Sequence, residues 1–232
     1  MAKRLILPVI FGFGGVAVLL WLGTWQLQRL AWKQELLADI EAKMMGEPQP
    51  WQEAVEPVFV NNAAVKATGV ILPEEIHYLT SRDLYGPGFR IIAKFETEAR
   101  TILIDRGFVQ SPAKDDPRPE IKVTVTGNLV RPNEVDPLFT PDPDLAANIW
   151  FARDVPAMAA HLGTEPVLLV VRTSSEVDSP VSAWPISTEF LPNNHLQYAV
   201  TWYLMALAWF GMTAYLLWRI RRQPDQNELH GR

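Results

Sequence analysis

The sequence predicts a membrane protein in which two transmembrane α-helices, one near each terminus, flank a β-rich domain of α+β, barrel-like character on the extracytoplasmic side. Three observations carry this. Apolar residues are concentrated in two long runs at the ends, the middle alternates short β-prone segments with turn signals, and positive charges gather at the outer flanks of the two runs.

From Leu5 to Gln28 there is no charged side chain. Leu5 to Leu22 is almost wholly apolar and would span roughly 27 Å as a helix, enough for the hydrocarbon core of a bilayer. Lys3 and Arg4 ahead of this run also suit a secretory signal peptide. The run is longer than a signal core, however, and ends in the bulky "LLWLGTWQLQ" with no small-x-small cleavage pattern, so it reads as an uncleaved anchor over 5–24. Past Trp25 the apolar residues Leu27, Leu30, Leu37, Ile40 and Met44 keep helical spacing until Gly46 and Pro48 stop it, which predicts an amphipathic stalk over 25–46.

The middle divides into candidate strands over 64–72, 76–80, 89–97, 101–110, 122–131, 148–152 and 167–173. "YGPGF" (85–89) marks a tight turn and "SPAKDDPRPE" (111–120) an exposed loop. One short helix is expected at Val155–Leu162, with Asp154 as N-cap and Gly163 as terminator. No internal repeat and no second core appear, so residues 25–195 form one domain between two anchors.

The second anchor follows. No Lys, Arg, Asp or Glu occurs from Phe190 to Trp218, and 196–218 would span roughly 34 Å as a helix. Tyr198, Trp202, Tyr203, Tyr215 and Trp218 suit headgroup belts at its ends. Lys3 and Arg4 precede the first span, Arg219, Arg221 and Arg222 follow the second, and no Lys or Arg lies from Val177 to His195. By the positive-inside rule, residues 1–4 and the tail 219–232 are cytoplasmic and 25–195 lies across the membrane. The N-terminus lacks the Arg-rich, acid-poor character of a transit peptide, which points to a bacterial inner membrane with a periplasmic domain. From Thr24 to His195 the chain carries 15 Lys and Arg against 24 Asp and Glu, a balance of minus 9, which disfavours nucleic acid as a partner.

With no cysteine, disulfides, thiolate metal sites and cysteine nucleophiles are excluded. The acidic loop "EVDPLFTPDPDL" brings Asp136, Asp142 and Asp144 together but lacks the glycine turn and closing glutamate of a calcium loop, so it reads as a solvated loop. In "LIDRGFV", Asp105 and Arg106 fall on opposite faces of a strand, and Gly107 marks a bulge or a close approach. His77 and His161 have ordinary core or surface readings. No nucleophile elbow, phosphate loop or spaced metal motif is present, so nothing announces an enzyme.

His195 in "PNNHLQYAV" differs. Asn194 is placed to cap the second membrane helix, with Gln197 answering three residues on. That puts His195 in the first turn, where the positive end of the helix dipole favours the neutral imidazole that iron coordination requires. Tyr198, Trp202, Met205, Trp209 and Met212 continue one face below it. The bland alternative is that this stripe packs on a neighbouring helix and His195 only hydrogen-bonds at the interface.

"GTWQLQRLAWK" after the first span, "GPGFRIIAKF" with "ILIDRGFV" in the middle, and "NNHLQYAVTWY" entering the second span together resemble the Surfeit locus family of cytochrome c oxidase assembly proteins. The resemblance covers nearly the whole chain, including its two-anchor layout. It implies assistance in building the haem-a-containing oxidase, with haem a bound transiently through a histidine at the start of the second membrane helix, here His195. Trp25, Gln28, Arg29, Tyr198 and Trp202 are the residues expected around such a site, with Arg29 as the cation for the propionates. The implied partners are the oxidase catalytic subunit, the haem a synthase and membrane lipid. The chain departs from the family's pattern at Lys94, before Phe95, where a proline is common, and at Phe108, after Gly107, where a tryptophan is common. Three classes of function stand side by side: a haem chaperone, a scaffold that stabilises nascent oxidase subunits without binding haem, and an outer-face enzyme, against which the missing catalytic constellation counts.

Overall fold

A computed structural model describes residues 2–83, 85–188 and 192–222. Phe190, with which the uncharged run before the second span begins, and residues 223–232 of the expected cytoplasmic tail lie outside the described residues. The described residues form two compact units, one of residues 2–38 and 192–222 and the other of residues within 39–188.

The β unit is built on a long, bent strand. β1 (Gln49–Pro50) leads into a single 3-10 turn at Trp51–Ala54, and β2 follows at Ala64–Arg82, then β3 at Gly86–Thr97, β4 at Thr101–Gln110, β5 at Ile121–Val130, β6 at Ile149–Trp150 and β7 at Leu168–Ser174. The first half of β2, Ala64 to Ile71, pairs antiparallel with β5, while Gly69 to Arg82 pairs antiparallel with β3. β4 continues from β3, β7 lies parallel to β4 and antiparallel to β5, and the sheet therefore closes on itself as a five-stranded barrel with β1 and β6 added along β2.

The sequence predicts two strands where the structure has the one strand β2. The register shifts between Ile71 and Glu75, around Pro73. Proline cannot donate to the ladder, so the chain bulges there and bends from one neighbour to the next instead of ending.

Strand alternation separates the two larger apolar clusters. Val65, Ile71, Phe95, Ile102, Ile104, Val125, Leu169 and Val171 fill one, and Ile76, Ile92, Leu103, Leu168 and Val170 form the other. The second is covered by Met158, Ala159 and Val155 of α2 (Val155–Leu162). β4 and β7 are thus buried on both faces, which is why they read as unbroken apolar runs. α2 has the bounds its caps predict: Asp154 accepts a hydrogen bond from the Ala157 N–H at 3.1 Å, and Gly163 adopts φ 68°.

Helix α1 runs from Ala2 to Met45, and α3 from His195 to Arg222. Both are long and apolar enough to cross a membrane. As the helical spacing predicts, α1 continues past Trp25, to Met45, and the division between units falls inside it, at Ala38/Asp39. The physical reason is visible on either side. Met44 is buried in the β unit, and its carbonyl accepts from Asn128 Nδ2 at 2.9 Å and from the Arg172 guanidinium at 2.8 Å. Before the division, Gly12, Gly15 and Gly23 lie against α3.

Candidate functional site

The helical unit is organised by a seam of small side chains. On α3 the buried positions are Ala199, Ala206 and Thr213, seven residues apart. On α1, Gly12 and Gly23 are buried and Gly15 is half-buried. A Cβ at Gly12 would lie 2.1 Å from Thr213 Cγ2, at Gly15 2.4 Å from Trp209 Nε1, and at Gly23 2.8 Å from Tyr203 Cε1, whereas a Cβ at Gly14 would meet nothing within 4 Å. Close approach through small residues is the usual way apolar helices associate in lipid, where burial of greasy surface gives no drive.

Polar contacts cross the same seam toward the start of α3. The Thr24 and Tyr203 hydroxyls lie 3.2 Å apart, and Lys33 donates to the Pro192 carbonyl. Between them, Gln26 Oε1 lies 2.8 Å from His195 Nδ1. Asn194 stands at the N-cap position, its carbonyl accepting from the Tyr198 N–H at 3.1 Å, so His195 opens the helix as expected. An amide oxygen can only accept, so the contact places the proton on Nδ1 and leaves the Nε2 lone pair of a neutral ring uncommitted. Nε2 has no hydrogen-bond partner among the described residues.

The other residues expected around His195 are distributed as follows. Arg29 lies over the rings of Trp25 and Trp32, 5.7 and 5.4 Å from their centroids. Gln28 is exposed on the same outward side, and it is Gln26 that meets the histidine. Trp202 is half-buried, but Tyr198 is exposed. The aromatic and methionine stripe therefore splits: Trp202 and Trp209 border the seam, while Tyr198, Met205 and Met212 face outward. Each of these three sits one residue before a buried seam position, about 100° round the helix.

Gln26 and Lys33 are the residues missed by sequence reasoning. They occupy the seven-residue repeat that runs Gly12, Leu19, Gln26, Lys33, so the signal was a heptad rather than a motif.

The β unit holds its charges in pairs. Arg90 Nε donates to Asp105 Oδ2 at 2.7 Å, and Arg106 pairs with Glu176 at 2.8 Å, on opposite faces as the strand alternation requires. Gly107 has φ 124°, and a Cβ there would lie 2.1 Å from the Ser182 carbonyl oxygen, so it is both bulge and close approach. Burial pushes the Glu75 carboxyl up, but hydrogen bonds from His77 and Arg118 outweigh it and hold the group below its ordinary value. Burial likewise pushes Glu134 up, and Arg153 brings it below the usual range. His161 packs edge-on against Trp150 at 5.8 Å. Asp136 and Asp144 accept from their own turns, and no group of three or more His, Asp or Glu able to hold a metal occurs among the described residues.

Comparison with known proteins decides the kinship. The model of the SURF1 family matches residues 14–207, from within α1 to within α3. The chain belongs to the SURF1 family. Its similarity to Surfeit locus protein 1 of Xenopus tropicalis is 32% identity over 81% of this chain and 68% of that one; for the Rattus norvegicus protein it is 30% over 88% and 72%, and for the Homo sapiens protein 31% over 84% and 71%. The SURF1 family consists of cytochrome c oxidase assembly factors rather than catalysts. Its matched span includes Trp25, Gln26, Arg29, His195 and Trp202, so the interhelical histidine lies inside the shared region.

Proposed function

We propose that this chain assists assembly of haem-a-containing cytochrome c oxidase by taking haem a transiently as cargo at His195 and aiding its insertion into the catalytic subunit. The observation that supports this most is the Gln26–His195 contact of 2.8 Å. It is the arrangement that metal-binding histidines rely on: one ring nitrogen donates to a fixed acceptor, the ring orientation is set, and the other nitrogen is held ready for the metal. The donor set fits the cargo, because a single neutral imidazole is a haem-iron ligand and no cysteine competes with it. Trp25, Tyr198 and Trp202 offer aromatic faces for a macrocycle, Arg29 a cation for propionates, and Gln28 a further polar group.

On this reading the β unit is periplasmic, the helices lie in a bacterial inner membrane with both termini cytoplasmic, and the partners are the catalytic subunit and the haem a synthase that supplies the cargo. The test is an absorption spectrum of the protein purified in detergent after coexpression with a source of haem a, against His195→Ala. The proposal expects bound pigment in the first and its loss in the second. Equal pigment in both, or none in either, overturns it; co-purification with oxidase subunits that survives His195→Ala would then favour the scaffold.

A further inference from the structure

The loop between β5 and β6 carries two large, highly exposed apolar side chains. Leu138 is 85% exposed and Phe139 82%. They are not on a slack segment. The Asp136 carbonyl accepts from the Phe139 and Thr140 N–H groups at 3.2 and 2.8 Å, the Asp136 carboxylate accepts from the Leu138 N–H at 2.9 Å, and the Thr140 hydroxyl accepts from the Asp136 N–H at 2.8 Å. The loop is also pinned at both ends. Arg131 N–H donates to Asn61 at 2.9 Å, Glu134 is paired with Arg153, and Asp144 and Ile149 exchange two backbone hydrogen bonds of 2.9 Å. Folding has thus already fixed the backbone that presents two side chains contributing little to the fold, so the cost of ordering that turn would not be charged to a binding event.

Charge narrows the occupant. Between Arg131 and Arg153 the chain has no Lys or Arg, and besides Glu134, which Arg153 neutralises, it carries three carboxylates, Asp136, Asp142 and Asp144. An apolar tip with an acidic collar is the complement of an apolar pocket with a basic rim. An anionic lipid surface would repel it, and a second copy of this chain, at net charge −5, offers the wrong sign. We propose that the Leu138–Phe139 turn is a preformed docking knob for a folded protein partner that presents an apolar pocket rimmed by lysine or arginine. This does not rest on haem binding.

The experiment is photo-crosslinking of the full-length chain in its own membrane, with p-benzoylphenylalanine at Leu138 and mass spectrometry of the adduct. The expected result is one partner protein, joined through a peptide next to exposed Lys or Arg. The adduct should fall about tenfold in Phe139→Ser, as for a central aromatic anchor, and several-fold in Asp142→Lys. Phe139→Ser should leave the melting temperature unchanged, since the side chain is so exposed. Adducts to lipid, to a second copy or scattered over many proteins, no adduct at all, or a yield indifferent to Phe139→Ser would each overturn the proposal.

Discussion

Replacing Gln26 by alanine tests the site more sharply than replacing the histidine. The wild-type contact holds His195 by a 2.8 Å hydrogen bond from across the helix seam. Removing it lets the ring turn and lets the proton move to Nε2, the atom that the proposed iron contact uses. Loss of an outer partner of a ligating histidine typically lowers metal affinity about 10- to 100-fold, which is about 1.4 to 2.7 kcal/mol. Most of that should come from ring orientation and tautomer, since the hydrogen bond alone contributes only about 1 kcal/mol net. Gln26→Glu keeps an acceptor opposite Nδ1 and should restore binding to near wild-type strength. The assay is titration of haem into the detergent-purified protein followed by absorbance, with His195→Ala as the floor and thermal melting as the check on folding. Wild-type affinity in Gln26→Ala, or a glutamate variant as weak as the alanine one, would refute the reasoning.

Other expectations concern what holds each unit together. Gly15→Ala should lower the melting temperature of the detergent-solubilised protein, because its Cβ would lie 2.4 Å from Trp209 Nε1, while Gly14→Ala, with open space, should be silent. Asp105 is fully buried beneath Arg90, so Asp105→Ala leaves a buried guanidinium unpaired and should cost about 3–5 kcal/mol; urea or thermal unfolding of the full chain measures it, and a loss below about 1 kcal/mol would contradict the pairing. Gly107→Ala should destabilise by a comparable route, combining φ 124° with the clash on Ser182, read by the same melts. Glu75 and Glu134 are held below their ordinary values in the folded chain, so the unfolded chain takes up protons first: their contribution is full above about pH 4.5 and is lost as the pH falls below it. Melting temperatures recorded from pH 7 to pH 3 should drop steeply at the acid end, and less steeply in Glu75→Gln.

The elements legible in the sequence are those with local causes. α2 is delimited by an aspartate cap and a left-handed glycine, both of which act within a few residues, and its bounds in the structure are the predicted ones. β4 likewise keeps its predicted bounds, Thr101–Gln110. What was not legible depends on partners distant in the chain. The continuation of β2 past Pro73 is decided by β3 and β5 taking over successive halves, and the burial of Met44 in the β unit by Asn128 and Arg172 reaching its carbonyl. The site divides in the same way. Asn194 and His195 were placed by their position at a helix start, but Gln26 is 169 residues away and has no local signature.

The seam supplies the reason that Gln26 falls where it does. Gly12, Gly15 and Gly23 let α1 approach α3 closely, and Gln26 continues the seven-residue repeat of Gly12 and Leu19 toward the part of α1 where the chain changes from apolar to polar. A glutamine deeper in the seam would be left without water or partner. One placed a single residue later would project about 100° away, as Leu27 does, and could not meet the ring. The interhelical packing and the histidine's hydrogen bond are therefore one arrangement. Bulk introduced at Gly23 should accordingly loosen His195 as well: Gly23→Val is expected to weaken haem binding toward the Gln26→Ala level even though both Gln26 and His195 are retained. Unchanged binding in that variant, with the seam shown by melting to be perturbed, would mean that the histidine is held independently of the helix contact.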